Sequence, residues 1–337
     1  MTASHGIDIL TRMCAEPGSR LPKIVVSSVV RSTHQGESHG GVYLVDLETG
    51  ETQQKLDWND PSINWEGRGA DRGLRGIAFH GELLYLAASD EIFVYDAHFK
   101  PVRSFSNRYL KHCHEIFVEG GSLFAASTGY DSVLQFDIAT GRFVRGLCLR
   151  LSEVGLAMRR IGLRPRPSFS VFDPNSDQGP PPGDTAHVNN VFVDGGVVYV
   201  SGTGLGNIWV IERDRLSRFA RIPYGSHNAR PFRGGVLLNH TATDRIAFVS
   251  RDGRVLRSFP LPRYDRSEML HADLTRDVAR QAFGRGLTVA GEDLVIGGSS
   301  PATVTAYRFE DAATLRSVNL TMDVRNAVHG LELWPFD

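Results

Sequence analysis

The stretch CHEIFVEGGSLFAASTGYDSVLQFD, residues 113–137, decides the fold. Apolar residues alternate with polar or small ones in HEIFVE, SLFAAS and SVLQFD, and turns containing Gly or Asp separate the three segments. Alternation with a period of two is typical of a half-buried strand, and short Gly or Asp turns join antiparallel neighbours. The stretch therefore predicts an antiparallel meander.

The same order of strands and turns recurs four more times. A short alternating strand, a turn, a second strand rich in Val, Leu and Tyr, a small-residue turn and a third strand follow one another. A fourth strand comes next, as in VRSFS (102–106) or VLRSFPL (255–261). The other recurring segments are LRGIAFHGELLYLAASDEIFVYD (74–96), VNNVFVDGGVVYVSGTGLGNIWVIE (188–212), HNARPFRGGVLLNHTATDRIAFVS (227–250) and GRGLTVAGEDLVIGGSSPATVTAYRF (284–309). A repeat of this size is typical of propeller blades.

The two ends of the chain complete the pattern. HGLELWPF (329–336) resembles a first strand with nothing after it, while KIVVSSVV (23–30), GVYLVDLETG (41–50) and ETQQKL (51–56) resemble a second, third and fourth strand. Together they predict an all-β fold: a six-bladed β-propeller of four-stranded antiparallel blades, closed by the C-terminal strand joining the N-terminal blade. Residues 23–337 would form this single domain after a tail at 1–22. A β-sandwich built from similar meanders is the alternative.

Three connections are longer than a blade requires, at residues 57–73, 151–186 and 262–283. Long loops within a compact domain are commonly functional. Residues 173–184 are rich in Pro, Gly and Asp and predict an irregular loop. Apolar residues near helical spacing within 268–283 predict a short helix over the site. They are Met269, Leu274, Val278 and Ala282.

Composition argues against nucleic-acid and membrane partners. The 337 residues carry a formal net charge of −1, so no overall field attracts nucleic acid or an anionic membrane. No apolar run approaches the roughly 18 residues of a membrane helix, and the N-terminus lacks the apolar segment of a secretory signal. Cysteine occurs only at 14, 113 and 148, without zinc-type spacing, which predicts a cytoplasmic protein without a disulfide framework. Cys113 is predicted to be small, buried filler. The oligomeric state is left open.

Polar residues recur where the innermost strands would begin. These strand starts converge on the propeller axis, and packing alone requires neither histidine nor arginine there. When the repeats are aligned on their apolar runs, His227 directly precedes one ring position and His187 lies two residues before another. The ring positions are Arg75, His114, Asn189, Asn228, Arg285 and His329.

Four histidines from four blades form the strongest metal signal: His114, His187, His227 and His329. Neutral imidazole suits Zn, Fe, Cu or Ni, and a catalytic metal needs protein ligands plus an open position. We predict a divalent transition metal (Fe, Zn or similar) held by some of these histidines, with His240 as a further candidate. The alternative is that the histidines hydrogen-bond neighbouring blades or a polar ligand.

The arginines predict an anionic substrate. Guanidinium groups bind carboxylate or phosphate through two parallel hydrogen bonds. Arg75 and Arg285 would orient the anion, and Glu115 would serve as acid, base or metal ligand. An Arg–Asp network that ties blade to blade is the alternative. Further substrate-binding candidates are Arg68, Arg72, Asn189, Asn228 and Arg230.

The blade layout resembles the six-bladed propellers of the SMP-30/gluconolactonase, NHL and strictosidine-synthase-like superfamily. That resemblance implies a divalent metal or a ligand at the propeller axis. The lactonase metal set consists of a glutamate, asparagines and an aspartate, and it would be matched here by Glu115, Asn189 and Asn190. The remaining candidates are mostly histidines.

The sequence thus predicts a metal-dependent enzyme acting on a small carboxylate-bearing substrate at the propeller axis. Its reaction class stays open between oxygenase, lyase and hydrolase. One alternative is a metal-free lyase or isomerase with histidine acid–base chemistry. The other is a non-catalytic propeller that binds a ligand or a protein.

Overall fold

The computed structural model describes residues 20–34, 36–59 and 73–336, which form six antiparallel sheets. The first two blades in chain order contain β1 (Lys23–Val30), β2 (Gly41–Asp46), β3 (Thr52–Asp57), β4 (Ile77–His80), β5 (Leu83–Ala88), β6 (Glu91–Asp96) and β7 (Pro101–Ser106). The next two contain β8 (Cys113–Glu119), β9 (Ser122–Ser127), β10 (Ser132–Asp137), β11 (Arg142–Arg150), β12 (Ser168–Phe172), β13 (Val188–Asp194), β14 (Val197–Gly202), β15 (Asn207–Glu212) and β16 (Arg215–Arg221). The last two contain β17 (Ser226–Phe232), β18 (Gly235–His240), β19 (Arg245–Val249), β20 (Val255–Pro260), β21 (Arg285–Ala290), β22 (Leu294–Ser299), β23 (Thr303–Arg308) and β24 (Thr314–Asn319), after which β25 (Asn326–Leu333) returns to the first blade.

The predicted six-bladed propeller is confirmed. Each sheet is a meander whose consecutive strands lie side by side. The third blade adds β12 at its outer edge, beside β11. This fifth strand lies within the connection 151–186 and was not predicted.

Apolar clusters between neighbouring blades form the core. Because side chains alternate across a strand, one strand supplies two clusters. In β1, Ile24 and Val26 pack toward the sixth blade, while Val25 packs toward the second. In β5, Leu84 packs toward the first blade and Tyr85 toward the third. Full burial of each large aliphatic side chain contributes about 1.5–3 kcal/mol, and every junction between adjacent blades contains such a cluster.

The circle is closed by the predicted pairing of the two chain ends. β25 pairs with β1 from Ile24 opposite Leu333 to Val30 opposite Asn326. The strand therefore begins three residues before the predicted start at residue 329. The buried hydroxyl of Ser27 accepts the amide N–H of Gly330 at 2.8 Å. The same hydroxyl donates to the Arg75 carbonyl at 2.5 Å, which links the closure to the second blade.

Aromatic side chains after β25 fasten the chain end to the second blade. Trp334 stacks on Phe99 with ring centroids 5.3 Å apart. It also meets Phe79 edge-on at 5.9 Å, and Phe336 approaches the same phenylalanine at 5.5 Å. Such aromatic pairs stabilise the fold beyond the contribution of the apolar area that they bury.

The connection 151–186 forms a helix, α1 (Glu153–Arg160), before β12. The Ser152 hydroxyl caps this helix by accepting the Gly155 amide N–H at 3.1 Å. Residues 173–184, all within the described chain, contain neither helix nor strand, as predicted. Among the described residues, no helix combines the length and apolar character needed to cross a membrane.

The predicted short helix within 268–283 is wrong. A 3-10 turn at Arg266–Glu268 is followed by turns and irregular chain. The Leu270 amide donates to the Met322 carbonyl at 3.0 Å, and the Leu270 carbonyl accepts the Val324 amide at 3.2 Å. These bonds to a distant loop take the backbone groups that a continuing helix would need. The connection 57–73 lies largely outside the described residues.

The predicted role of Cys113 as filler is confirmed. Cys113 is fully buried in the cluster between the second and third blades, and Cys148 is buried too. Both thiols are free. Burial raises the pKa of each of them, so neither is poised as a thiolate nucleophile.

Replacing Gly330 by alanine should destabilise the closed propeller. A Cβ at this position would lie 2.1 Å from the Arg75 carbonyl oxygen and 2.7 Å from the Ser27 hydroxyl. The backbone must shift to relieve such overlap, at a cost of about 1–3 kcal/mol. Urea unfolding should show a lower midpoint with an unchanged slope.

Gly129→Ala is the matched control, because the three atoms nearest to its Cβ would belong to the Lys111 side chain, at 3.0–3.2 Å. Its midpoint should stay near that of the wild type. Equal midpoints for the two variants would contradict the close approach of β25 to the second blade.

Candidate functional site

Irregular pairing turns the first residues of the innermost strands toward the axis. In five blades the register between the innermost strand and its neighbour shifts near the start of that strand. Such β-bulges bend a strand and re-aim its side chains. The shifts fall between Cys113 and Ile116, Val188 and Asn190, His227 and Arg230, Arg285 and Leu287, and Val328 and Leu331.

Three residues near these bulges adopt left-handed backbone conformations. His112, His187 and Asn228 have φ angles of 52°, 50° and 50°. Positive φ is uncommon outside glycine, although Asn and His tolerate it better than most residues. Unfavourable backbone geometry is concentrated at functional sites in many proteins. Here it occurs at or near the ring positions predicted at the starts of the innermost strands.

The structure brings three of the four predicted histidine ligands into one group. The ring centroids of His114 and His187 are 5.4 Å apart, and those of His114 and His329 are 5.5 Å apart. His329 is buried, and its Nδ1 has no hydrogen-bond partner among the described residues. His227, from the fifth blade, is buried as well; burial, then the charge of Arg285, and then His114 and His187 lower its pKa.

Hydrogen bonds fix the tautomer of His114. Its Nδ1 lies 2.9 Å from the His112 carbonyl oxygen and 2.7 Å from the Thr128 hydroxyl. A carbonyl can only accept, and the Thr128 hydroxyl donates its own hydrogen to the Val188 carbonyl at 2.7 Å. Nδ1 therefore carries the proton, which leaves a lone pair on Nε2.

His227 and His187 have the same arrangement. The Nδ1 of His227 lies 3.1 Å from the Gly225 carbonyl oxygen. The Nδ1 of His187 lies 2.9 Å from an Asp184 carboxylate oxygen. Both contacts are made by acceptors, so in each residue Nδ1 carries a proton and donates it. In the neutral form of either imidazole, the lone pair is then on Nε2.

Two buried arginines lie beside these histidines. Nη1 of Arg75 is 3.3 Å from both ring nitrogens of His114. Equal distances place the guanidinium against the ring face and not at a single lone pair. Nη1 of Arg285 donates to the Thr241 hydroxyl at 2.8 Å and to the Gly284 carbonyl at 2.9 Å. Its guanidinium also lies 4.0 Å from the centre of the Phe283 ring.

His114, His227 and His329 are neutral at physiological pH. Burial lowers the pKa of His114, His227 and His329 well below the ordinary value. The positive charge of Arg75 lowers the pKa of His114 and His329 further. Arg285 does the same for His227. The arginines therefore supply the positive charge, and the imidazoles remain available as acceptors.

Glu115 lies next to the histidines, in a hydrogen-bonded amide network. Asn228 donates its side-chain N–H to the Glu115 carboxyl at 2.7 Å. The Asn228 carbonyl oxygen accepts from Asn239 at 2.9 Å and from the Gly286 amide at 3.1 Å. Burial, followed by the charge of Glu332, raises the pKa of Glu115 to about 8. This carboxyl is therefore mainly protonated at pH 7.

Arg230 belongs to the group around Glu332. Its guanidinium lies 5.0 Å from the Phe192 ring centre, and burial lowers its pKa while the charge of Glu332 raises it. Glu332 accepts the Thr288 hydroxyl at 3.0 Å, and burial raises the pKa of its carboxyl.

Other predicted site residues contact different parts of the structure. Asn189 donates to the Ser226 carbonyl at 3.3 Å, and its own side-chain oxygen has no partner among the described residues. No hydrogen bond or ring contact joins His240 to the ring histidines within the described chain, and its role stays a prediction. Arg68 and Arg72 lie outside the described residues.

Sequence reasoning missed three residues that position the site. Thr128 and Thr241 occupy equivalent turns, each directly after the second strand of its blade, and each lies beside a ring histidine. Their equivalent positions after the second strand were the pattern in the sequence that could have identified Thr128 and Thr241. The prediction instead named His240, one residue before Thr241. Asp184 orients His187 from three residues upstream.

The predicted metal is not tested by the structure. Among the residues described, no group of three or more His, Cys, Asp or Glu side chains has an arrangement suited to a metal ion. The donor set is mixed: three rings present an Nε2 lone pair, but arginine charges lie beside them.

Comparisons with known proteins identify the fold. No protein-family model and no curated protein matches the chain. It is similar to a protein of unknown function from Bacteroides caccae, with a TM-score of 0.54, 8% identity, and coverage of 92% of this chain and 98% of that one. It also matches the computationally designed Ika8 protein, with a TM-score of 0.44, 11% identity, and coverage of 89% and 88%. The first similarity shows the fold alone, and nothing further about this chain is concluded from the second.

Replacing Glu115 by glutamine should stabilise the protein increasingly as the pH rises. The pKa of Glu115 is raised from 4.5 to about 8, so between these values the folded state retains a proton that the unfolded state has released. Wild-type stability therefore falls through this window, by at most about 1.4 kcal/mol per pH unit. Glutamine removes this loss and keeps an oxygen that accepts from Asn228. Urea unfolding at about pH 5 and about pH 9 measures the difference.

Glu82→Gln, an exposed change in the turn before β5, is the control. Its difference from the wild type should be the same at both pH values. A Glu115→Gln advantage that does not grow with pH would mean that Glu115 ionises normally.

Proposed function

We propose that the protein is an enzyme that binds a small carboxylate at the propeller axis and transfers a proton by using neutral histidines. One observation carries this proposal. Two buried arginines and imidazoles with open Nε2 lone pairs share the same ring of strand starts. Arginine recognises the anion, and imidazole exchanges the proton.

The electrostatics of the ring favour an anion. Arg75 and Arg285 are charged, while the low pKa of the histidines keeps those rings neutral. The raised pKa of Glu115 keeps that carboxyl mainly protonated at pH 7. The ring therefore combines two guanidinium groups with uncharged imidazoles. A carboxylate bound beside them would be attracted by the guanidinium charges and would accept hydrogen bonds from their N–H groups.

General acid–base catalysis is the chemistry that this set can perform. The Nε2 lone pair of His114 or His227 can accept a proton from the carbon beside the substrate carboxylate. Arg75 and Arg285 can stabilise the negative charge that then develops on the carboxylate oxygens. Protonated Glu115 can return a proton. Lyase and isomerase reactions of carboxylates fit this sequence of steps.

A metal-dependent reaction is the second candidate, favoured by the orientation of the imidazoles. A metal-binding histidine commonly donates its other ring N–H to a carbonyl or carboxylate, as His114, His187 and His227 do. With His329 they would hold an Fe or Zn ion, which would supply Lewis-acid activation of water or dioxygen. The neighbouring arginine charges oppose a bound cation, so we rank this candidate second.

Membership of the SMP-30/gluconolactonase, NHL and strictosidine-synthase-like superfamily stays part of the proposal, as does a cytoplasmic location. A lactonase-type metal set would use Glu115, Asn189 and Asn190. Asn190 donates to the Ala229 carbonyl at 2.7 Å, across to the next blade, so its amide already has a structural role. A lactonase-type metal site is therefore less favoured than a metal site formed by the histidines.

Small carboxylates should raise the melting temperature of the wild-type protein and bind less tightly to Arg75→Ala and Arg285→Ala. Losing one charged hydrogen bond should weaken binding by roughly ten- to a hundredfold. Arg75→Lys should recover only part of it, because lysine lacks the planar fork. The measurement is a thermal-shift screen of mono-, di- and 2-oxo carboxylates, followed by calorimetry. Exposed Arg142→Ala is the control, and unchanged affinity in Arg75→Ala would contradict the anion site.

Proton transfer is tested with the carboxylates that bind. In D2O, NMR should show exchange of the C–H beside the carboxylate with the wild type, and loss of exchange with His114→Gln and His227→Gln. Binding without exchange would mean a non-catalytic propeller. Exchange that chelators abolish and Zn or Fe restores would favour the metal-dependent candidate.

A further inference from the structure

A second positively charged site lies away from the histidine ring, in the connection between β20 and β21. An open cleft of about 270 Å³ lies between residues 262–283 and the loop that precedes β25. Four arginines line it: Arg263, Arg266, Arg276 and Arg280. Met269 and Leu274 contribute apolar surface to the same cleft.

The arginines are only partly neutralised. Asp244 accepts from Arg263 at 2.6 Å and also from Arg280, so one carboxylate serves two guanidinium groups. Arg266 and Arg276 have no ion-pair partner within the part of the chain that the structure describes. The acids closest to Arg266 in sequence, Asp265 and Glu268, bond to each other's backbone N–H groups in a capping box.

The cleft has a fixed shape. Tyr264 and Gln281 join the two ends of the connection through two hydrogen bonds, of 2.9 and 3.3 Å. The backbone of Leu270 bonds to the loop that precedes β25. The Arg280 carbonyl accepts the Ser300 hydroxyl at 2.5 Å. The backbone that carries the four arginines is thus anchored at several points, so less backbone entropy is lost when a ligand binds.

We propose that this cleft binds the phosphate group of a small organic molecule. A phosphate presents several charged oxygens and can engage more than one guanidinium fork at once, whereas a lone carboxylate presents two oxygens. The four arginine charges repel one another. An anion with more than one negative charge therefore reduces this repulsion more than a singly charged anion does. The apolar surface around Met269 and Leu274 accommodates the uncharged part of the molecule.

The cleft is distinct from the ring, although one residue touches both. The Thr241 carbonyl accepts from Arg280 of the cleft, while the Thr241 hydroxyl accepts from Arg285 of the ring. The phosphate site uses residues that the proposed proton transfer does not need. It stands whether or not that reaction is correct.

Calorimetric titration of the 337-residue chain with inorganic phosphate, at fixed ionic strength, tests the proposal. The Arg266→Ala/Arg276→Ala variant should bind phosphate at least about tenfold more weakly than the wild type. Its matched control is Arg103→Ala/Arg142→Ala, which removes the same charge from exposed positions on β7 and β11. The control and Arg75→Ala should both keep wild-type affinity. Circular dichroism melting confirms that each variant is folded.

Three outcomes would overturn the proposal: no phosphate binding by the wild type, equal weakening in the control variant, or loss of binding in Arg75→Ala alone. The last result would place the phosphate in the channel. Co-sedimentation with vesicles containing phosphatidic acid separates the two sources of a phosphate group. Sedimentation that depends on Arg266 and Arg276 would identify a lipid headgroup, and its absence alongside phosphate binding would identify a soluble molecule.

Discussion

The pairing of β25 with β1 converts a row of blades into a closed circle. Each blade has two apolar faces, as Val25 and Val26 on opposite sides of β1 illustrate. In an open row, the two terminal blades would each expose one such face to water. Closure covers both of them and also removes the free edge of β1. The same circle brings six strand starts together around one axis.

This convergence brings positive charges together, and the repulsion is limited because His114, His227 and His329 stay neutral. Arg75 and Arg285 are buried cations, and protonated imidazoles beside them would repel them strongly in a medium of low dielectric constant. Burial already disfavours imidazolium, so the low pKa of His114 and His227 follows from their position. Thr128 and Thr241 hold the rings with Nε2 open.

The sequence was informative where structure follows from local pattern. Alternation predicted β1 with its bounds at 23–30, and the aligned repeats placed His114 and His329 in one group. The sequence was less informative where contacts between residues far apart in the chain determine the local structure. The helix expected near Met269 is absent because Leu270 bonds to a loop more than fifty positions later. The role of Thr128 depends on Val188, which is 60 residues away. No repeat of the pattern marks β12 or α1, since each occurs in one blade only.

The link from Ser27 to Gly330 and Arg75 has a consequence for the order in which the molecule is built. His329, one of the ring positions, lies in β25. The Arg75 carbonyl accepts a hydrogen bond from Ser27 of β1, and Ser27 in turn accepts the Gly330 amide N–H of β25. The strands of five complete blades all precede β25 in the chain, so they can pair before β25 is synthesised. The ring of strand starts then lacks the position that holds His329. The circle and its axis are completed in the same step, when β25 pairs with β1.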